Sequence, residues 1–341
     1  MKKRATKTNE HHAKIESESC CEVMNDDPDE AFIIETLLSH RPERLATTAV
    51  RGAVTQFAPG DDAAAVGASE VVTVDTMVQH IHFDDRLSAQ DVGWKLVAVN
   101  ASDIGAMGAK PTWAVLSLSL PSPLDRAWVT EFAEGMGAAL KQWNIHLVGG
   151  DTTGSPGPIT ASMTLAGHTS QPVCRSGARS GDFLWVTGHL GEAASGFLYG
   201  TKSGLSALRR PCPPVAFGAA LPQSIHVHAM MDISDGLAKD LGRMCRASEV
   251  SAVVDPSTLI PGPGLLEVAD PLAAQVAFGE DYQLLIAAAP EDTAKIQQTA
   301  AQHRIEVHSI GHFLSSRGAH TARLMDMQWP DPAFSHFQGA S

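Results

Sequence analysis

Five aspartates in this sequence stand at or beside the ends of apolar runs, among small or apolar neighbours. They are Asp62 in Gly60–Asp61–Asp62, Asp75 in Val74–Asp75–Thr76, Asp103 in Asn100–Ala101–Ser102–Asp103, Asp151 in Gly149–Gly150–Asp151–Thr152–Thr153, and Asp232 in Met231–Asp232–Ile233–Ser234–Asp235–Gly236. None of these stretches contains a lysine or arginine. An aspartate at the end of a buried strand must be hydrogen-bonded, protonated or bound to a cation. One such motif alone reads as a turn or a helix cap, because Asp and Gly are turn residues. Five in one chain point to convergence on Mg²⁺, a hard cation that takes oxygen ligands and usually keeps waters and substrate phosphates.

The charge balance narrows the partners. The chain has 341 residues, with 25 Lys and Arg against 38 Asp and Glu, a net charge of −13. Nucleic-acid binding needs clustered basic residues and is not expected. Hydrophobic residues make up 44% and charged residues 18%, enough apolar material for a packed core. The length suggests two domains. No stretch approaches the ~20 apolar residues that span a bilayer. The basic and polar start, MKKRATKTNEHHAKIESES, lacks the apolar region of a secretory leader, so no membrane partner and a cytoplasmic location are expected. The five cysteines, Cys20, Cys21, Cys174, Cys212 and Cys245, fit neither a disulfide framework nor a zinc site.

Patterning gives an α/β (α+β) chain of two domains. Residues 1–30 read as a disordered extension, 31–168 as an N-terminal domain, which the resemblance given below implies binds ATP and Mg²⁺, and 169–341 as a C-terminal domain. The spacing predicts helices over 31–38, 89–107 (capped by Ser88), 125–143, 237–247 and 291–303. Strands are predicted at 71–74, 113–120, 145–148, 159–166, 183–187 and 282–287. Gln171 to Asp182 reads as a connection.

Several chemistries drop out. There is no GxxxxGK[ST] and no protein-kinase motif set. No Ser-His-Asp or Cys-His arrangement supports a covalent nucleophile, so no catalytic nucleophile is assigned. Gly149 to Thr153 can present backbone N–H groups to phosphate, as a nest does. His82 is either a substrate contact or an ordinary satisfied polar residue. Gly279–Glu280–Asp281–Tyr282 is a further acidic turn.

Taken in order, the motifs carry a resemblance. GDDAA at Gly60, VDTMVQHIHF from Val74, DVGWKLVAVNASDIGAMGAKPTW from Asp91, LVGGDTT from Leu147, RSGARSGD from Arg175, MDISDGLAKDLG from Met231, GEDYQLL from Gly279 and IGHF from Ile310 resemble the thiamine-monophosphate kinase family, within the wider aminoimidazole-ribonucleotide synthetase-like superfamily. The resemblance implies a two-domain fold whose N-terminal sheet pairs with a second copy in a homodimer, with the site lying between domains. It implies ATP-dependent phosphorylation of thiamine monophosphate to thiamine diphosphate, with several Mg²⁺ ions. Carried over by motif, Asp62, Asp75, Asp103, Asp151 and Asp232 would ligate magnesium, with Thr73 beside them, and Asp235 would hold a further ion. Gly150, Asp151, Arg175 and Ser234 would contact ATP. His82 and Glu280 would contact thiamine monophosphate, and Trp329 or Phe334 would cover its thiamine end. Val74 stands where a hydroxyl residue is common, so a metal contact there would use its carbonyl. Gln79, His80, Gly154, Phe278 and Gln283 also depart from the pattern.

Overall fold

Strand alternation sorts the side chains of the second half onto two sheet faces, and each face finds its own helices. In β6 (Phe183–Thr187), Leu184 and Val186 join one core and Trp185 the other. In β9 (Gln283–Ala288), Leu285 and Ala287 face the first core and Leu284 and Ile286 the second. A sheet covered on both sides reads as unbroken apolar runs rather than alternation.

The computed structural model describes residues 32–33, 36–37, 61–66, 69–316, 318 and 320–330. The expected extension at 1–30 and Phe334 lie outside them. Of the helix expected at 31–38, Phe32, Ile33, Thr36 and Leu37 are described and are helical.

The first sheet contains β1 (Ala64–Val66), β2 (Glu70–Val78), β3 (Lys110–Pro121), β4 (His146–Ser155) and β5 (Thr160–His168). Its order is β1-β2-β5-β3-β4, antiparallel except between β3 and β4. Helix α1 (Ala89–Ala106) starts at the predicted cap, where Ser88 and Asp91 form a reciprocal capping box. Helix α2 (Arg126–Gln142) packs against α1 so closely that a Cβ on Gly93 would lie 2.1 Å from the Phe132 carbonyl oxygen. Glycine is what lets the two helix backbones meet. The face of this sheet away from the core is open. Register aligns Thr76, Ser162, Ser117 and Asp151 in one row, and the Thr76 hydroxyl donates to Ser162 at 2.8 Å.

The second sheet adds β7 (Ala229–Ile233), β8 (Val250–Val254), β10 (Val307–Ser315) and β11 (Ala322–Leu324), in the order β11-β8-β10-β6-β9-β7. Helix α3 (Glu192–Tyr199), α4 (Lys202–Arg209), α5 (Val215–Ser224), α6 (Leu237–Ser248), α7 (Leu272–Ala277) and α8 (Thr293–His303) complete it. Leu237, Leu241 and Met244 of α6 cover one face; Phe217 and Leu221 of α5 and Ile296 of α8 cover the other. Among the described residues no helix is long and apolar enough to cross a membrane.

Helix α1 ties the halves together. Trp94 donates its indole N–H to the Pro211 carbonyl at 2.9 Å, and Ser102 donates to Asp232 of β7 at 2.6 Å. Nearly every residue of α1 is buried, as suits a helix with neighbours all round.

Candidate active site

Asp91, Lys95, Val99 and Asp103 recur every fourth residue and so share one face of α1. Asp91 accepts from Arg210 at 2.8 Å. Lys95, Val99 and Asp103 line a cavity of about 550 Å³ between the halves. Its other walls come from β2 and the following turn (Asp75, His80, His82), from β7 and its turn (Asp232, Ser234, Asp235), and from the loop before β9 (Phe278, Glu280, Tyr282).

Four of the five aspartates singled out in the sequence come together here. Burial raises the Asp103 carboxyl well above its ordinary value, and the charges of Asp75, Asp232 and Asp62 push it further. Asp232 is likewise held well above the usual range by burial and by Asp62, against the hydrogen bond from Ser102. Burial also raises Asp62, opposed by Arg175. Carboxylates this close repel one another in a medium that screens poorly. Thr73 locks the arrangement, its hydroxyl donating to Asp103 Oδ2 at 2.6 Å and approaching the Asp62 carbonyl at 3.1 Å. The backbone N–H of Asp75 donates to Asn100 Oδ1 at 3.1 Å.

The donor set fits Mg²⁺. All the donors are oxygen, and Asp62 Oδ2 is buried without a hydrogen-bond partner. The aspartates do not form a three-donor chelate with every ligand atom within 4.8 Å of the others. That spacing suits an ion held by one or two carboxylates with water and phosphate oxygens, rather than by an all-protein cage.

The remaining expectations divide. Val74 is 61% exposed, and strand alternation turns its side chain away from Thr73 and Asp75, so only its main chain stays beside the cluster. Asp151 is not brought to the cluster. It sits exposed on β4, the edge strand. The nest expected at Gly149–Thr153 is instead extended strand, because pairing with β3 continues to Ser155. Gly150 is needed there for packing: a Cβ would lie 2.0 Å from the Leu116 carbonyl oxygen. Asp235 also stands apart, its Oδ2 bound by Lys239 at 2.9 Å and Arg243 at 2.7 Å. Burial opposes the charge on Asp235, but those two cations outweigh it and lower its pKa. The guanidinium of Arg175, far from Asp62 in sequence, pairs with Asp62 at 2.5 Å, and the Arg175 backbone N–H donates to Asp61 Oδ1 at 2.7 Å.

His82 lines the cavity, and its Nδ1 accepts from the Val78 N–H at 3.0 Å. Glu280, at φ 73°, lines it too and pairs with Lys95. Ser234 lines it, with its N–H held by Asp240 at 3.1 Å. Trp329 is not brought to the cavity. It packs on the core of the second half and donates to the Ala322 carbonyl at 2.8 Å.

Sequence reasoning missed Lys95, Asn100, Asp240 and Arg243. For Lys95 the signal was present: a lysine on an apolar helical face, four residues after Asp91 and eight before Asp103. Asp240 carried no such signal. It is a helix residue whose Oδ2 gathers the N–H groups of Ser234, Asp235 and Gly236, shaping the turn that follows β7.

Residues 60–169 match the model of AIR synthase related protein, N-terminal domain, and residues 179–321 match that of its C-terminal domain. A thiamine-monophosphate kinase of Haemophilus influenzae is 33% identical over 308 residues, covering 83% of this chain and 92% of the relative. The chain belongs to the thiamine-monophosphate kinase family. A crystal structure of a family member from Stenotrophomonas maltophilia K279a is 31% identical with a TM-score of 0.69, over 86% of this chain and 94% of that one. AaThiL complexed with AMPPCP and TMP is 26% identical with a TM-score of 0.74, over 89% and 94% of the two chains. As a member of the thiamine-monophosphate kinase family, the chain is a kinase with two α/β halves around a shared cleft.

Proposed function

We propose that this chain transfers the γ-phosphoryl group of ATP to thiamine monophosphate, giving thiamine diphosphate and ADP, with Mg²⁺ at the aspartate cluster. The observation that carries the reading is the meeting of Asp62, Asp75, Asp103 and Asp232 at one end of a cavity whose walls also hold Lys95, Glu280 and His82. AaThiL was solved with AMPPCP and TMP, and the cavity here is the place for both substrates.

An acceptor phosphate is already anionic near neutral pH, so it attacks the γ-phosphorus in line without a strong general base. No phosphoenzyme forms. The obstacle is repulsion between two polyanions. Asp62, Asp75, Asp103 and Asp232 would hold Mg²⁺, with the Val74 carbonyl beside them; when bound, the metal neutralises phosphate charge and orients the reacting groups. Arg175, released from Asp62, supplies charge-assisted hydrogen bonds to phosphate, and Ser234 flanks it. Lys239 and Arg243 leave Asp235 poised between its present ion pairs and a further metal. His82 and Glu280 position the acceptor, and Lys95 holds the Glu280 carboxylate in place.

The working unit is a homodimer, with functional halves at 31–168 and 169–341. β4 is an edge strand exposed on both faces, with Leu147 at 42% and Val148 at 63% exposure, beside an open sheet face. Pairing that surface with a second copy covers it and gives Asp151 and Gly150 a protein surround. We place the enzyme in the cytoplasm, where its free thiols Cys174, Cys212 and Cys245 persist reduced. The test is a reaction of purified protein with ATP, Mg²⁺ and thiamine monophosphate. ADP release that requires the acceptor, with thiamine diphosphate as product, is expected; no thiamine diphosphate overturns the reading.

A further inference from the structure

Away from the cleft, His189, Glu306 and His308 gather at one end of the second sheet. His189 follows β6, and Glu306 and His308 flank the first residue of β10, the strand paired with β6. The Gly188 N–H donates to the Glu306 carbonyl at 2.9 Å, so the main chain fixes how the three residues meet. His189 Nε2 lies 3.0 Å from Glu306 Oε2, and His308 Nε2 lies 3.8 Å from the same oxygen. One ligand atom from each of the three lies within 4.8 Å of the other two. None of them lines the 550 Å³ cavity.

We propose that His189, Glu306 and His308 form a binding site for a transition-metal ion of the Zn²⁺ class.

Three observations carry this. First, His308 Nε2 is buried and has no hydrogen-bond partner, although it points at a carboxylate oxygen too distant to bond. A buried polar atom without a partner is costly, and an ion between the two groups satisfies both. Second, the separations match coordination. With metal–nitrogen and metal–oxygen bonds of about 2.0–2.2 Å, two ligands of a tetrahedral ion stand roughly 3.3 Å apart. The observed 3.0 and 3.8 Å straddle that figure. Third, the donor chemistry selects the ion. Two imidazoles and one carboxylate favour Zn²⁺ and its neighbours over Mg²⁺, which prefers oxygen alone. The aspartate cluster, all oxygen, makes the opposite choice, so the chain carries two metal sites of different softness.

The site clips the turn after β6 to the start of β10. Two residues past His189, the Gly191 N–H is held by both oxygens of Asp281, at 2.9 and 3.1 Å, and Asp281 adjoins Glu280 of the cleft wall.

The test uses the full chain, stripped of metal and returned to excess Mg²⁺ so that the aspartate cluster is filled. Zn²⁺ is titrated by calorimetry, and Co²⁺ is titrated in parallel for its visible absorption, which is intense only in a four-coordinate, nitrogen-bearing site. A Cys20→Ser/Cys21→Ser background removes the tail thiols as rival ligands. One Zn²⁺ per chain, an intense Co²⁺ band and a raised melting temperature are expected. Glu306→Gln is the decisive variant: it keeps a hydrogen bond to His189 on a largely exposed side chain but removes a charged ligand. It should weaken binding at least tenfold and abolish the Co²⁺ band, while kinase activity with Mg²⁺ stays unchanged; His308→Ala should behave alike. Undiminished Zn²⁺ stoichiometry and affinity in Glu306→Gln, or a wild-type chain that takes up no Zn²⁺, overturns the proposal and leaves the triad a hydrogen-bonded surface cluster.

Discussion

Lys95 of α1 forms a direct ion pair with Glu280, a residue of the other half of the molecule, and does so with its side chain only 3% exposed. A lysine in that position is tolerable only because its partner is fixed, and Glu280 is fixed by a turn whose N–H donates to the Ser234 carbonyl at 2.9 Å. Lys95→Met should destabilise the protein by about 2 kcal/mol, less than for a fully buried pair because Glu280 keeps some contact with water. It should also raise the KM for the acceptor. The double variant Lys95→Met/Glu280→Gln should regain most of the stability in a denaturant melt and none of the activity. A single variant as stable as wild type would show that the pair contributes nothing to the fold.

Asp103→Asn should separate stability from turnover. Removing one of several mutually repelling carboxylates relieves strain in the metal-free protein, and the amide oxygen can still accept from Thr73. The variant should melt higher than wild type in chelator, while kcat falls roughly 100-fold or more because a charged group facing the phosphates is gone. In wild type Mg²⁺ should raise the melting temperature; in the variant that rise should shrink. Unchanged kcat would remove Asp103 from the metal cluster.

Asp281 gives a pH signature outside the metal cluster. Burial raises its carboxyl well above the ordinary value of 3.8, against the Gly191 N–H and with help from Glu280 and Glu192. Between 3.8 and its folded value, the native chain keeps a proton that the unfolded chain has released. Stability therefore falls as pH rises through that window. Asp281→Asn retains an acceptor for Gly191 and cannot ionise. Melting curves across the pH range should show a flatter decline for the variant, and parallel curves would rule out this residue as the source.

Val148→Asp tests the second copy. A charge on the exposed edge of β4 should leave the circular dichroism unchanged while light scattering reports a monomer and activity is lost. A variant that stays dimeric and active would move the interface to another face.

What could be read in advance depended on whether a residue's role is local. β6 spans 183–187 as its apolar run predicts, and the Ser88 cap appears as a capping box. Helix α5 was hidden because it follows Pro211, Pro213 and Pro214, contains Pro222 and is buried around much of its surface, which erases the amphipathic period. Helices α3 and α4 are short and glycine-bearing, and much of their packing is against each other. The convergence of Asp62, Asp75, Asp103 and Asp232 was legible because each motif sets a carboxylate among small or apolar residues with no lysine or arginine beside it in sequence. The partners were not: Arg175 reaches Asp62 across 113 residues, and Glu280 reaches Lys95 across the junction of the halves. Asp151 shows the limit of reading motifs one at a time, since strand pairing carries it to the exposed edge of the first sheet and away from the other four aspartates.

Helix α1 sets a mechanical constraint on turnover. Along its length, Asp91 grips Arg210, Lys95 grips Glu280 and Ser102 grips Asp232, three attachments to the same opposing half. A hinge that swung the halves apart would break all three together and pull Asp232 away from Asp103. Opening the cleft by rigid-body motion would therefore cost three polar contacts at once, and the helix works as an axle that keeps Asp103 and Asp232 in register.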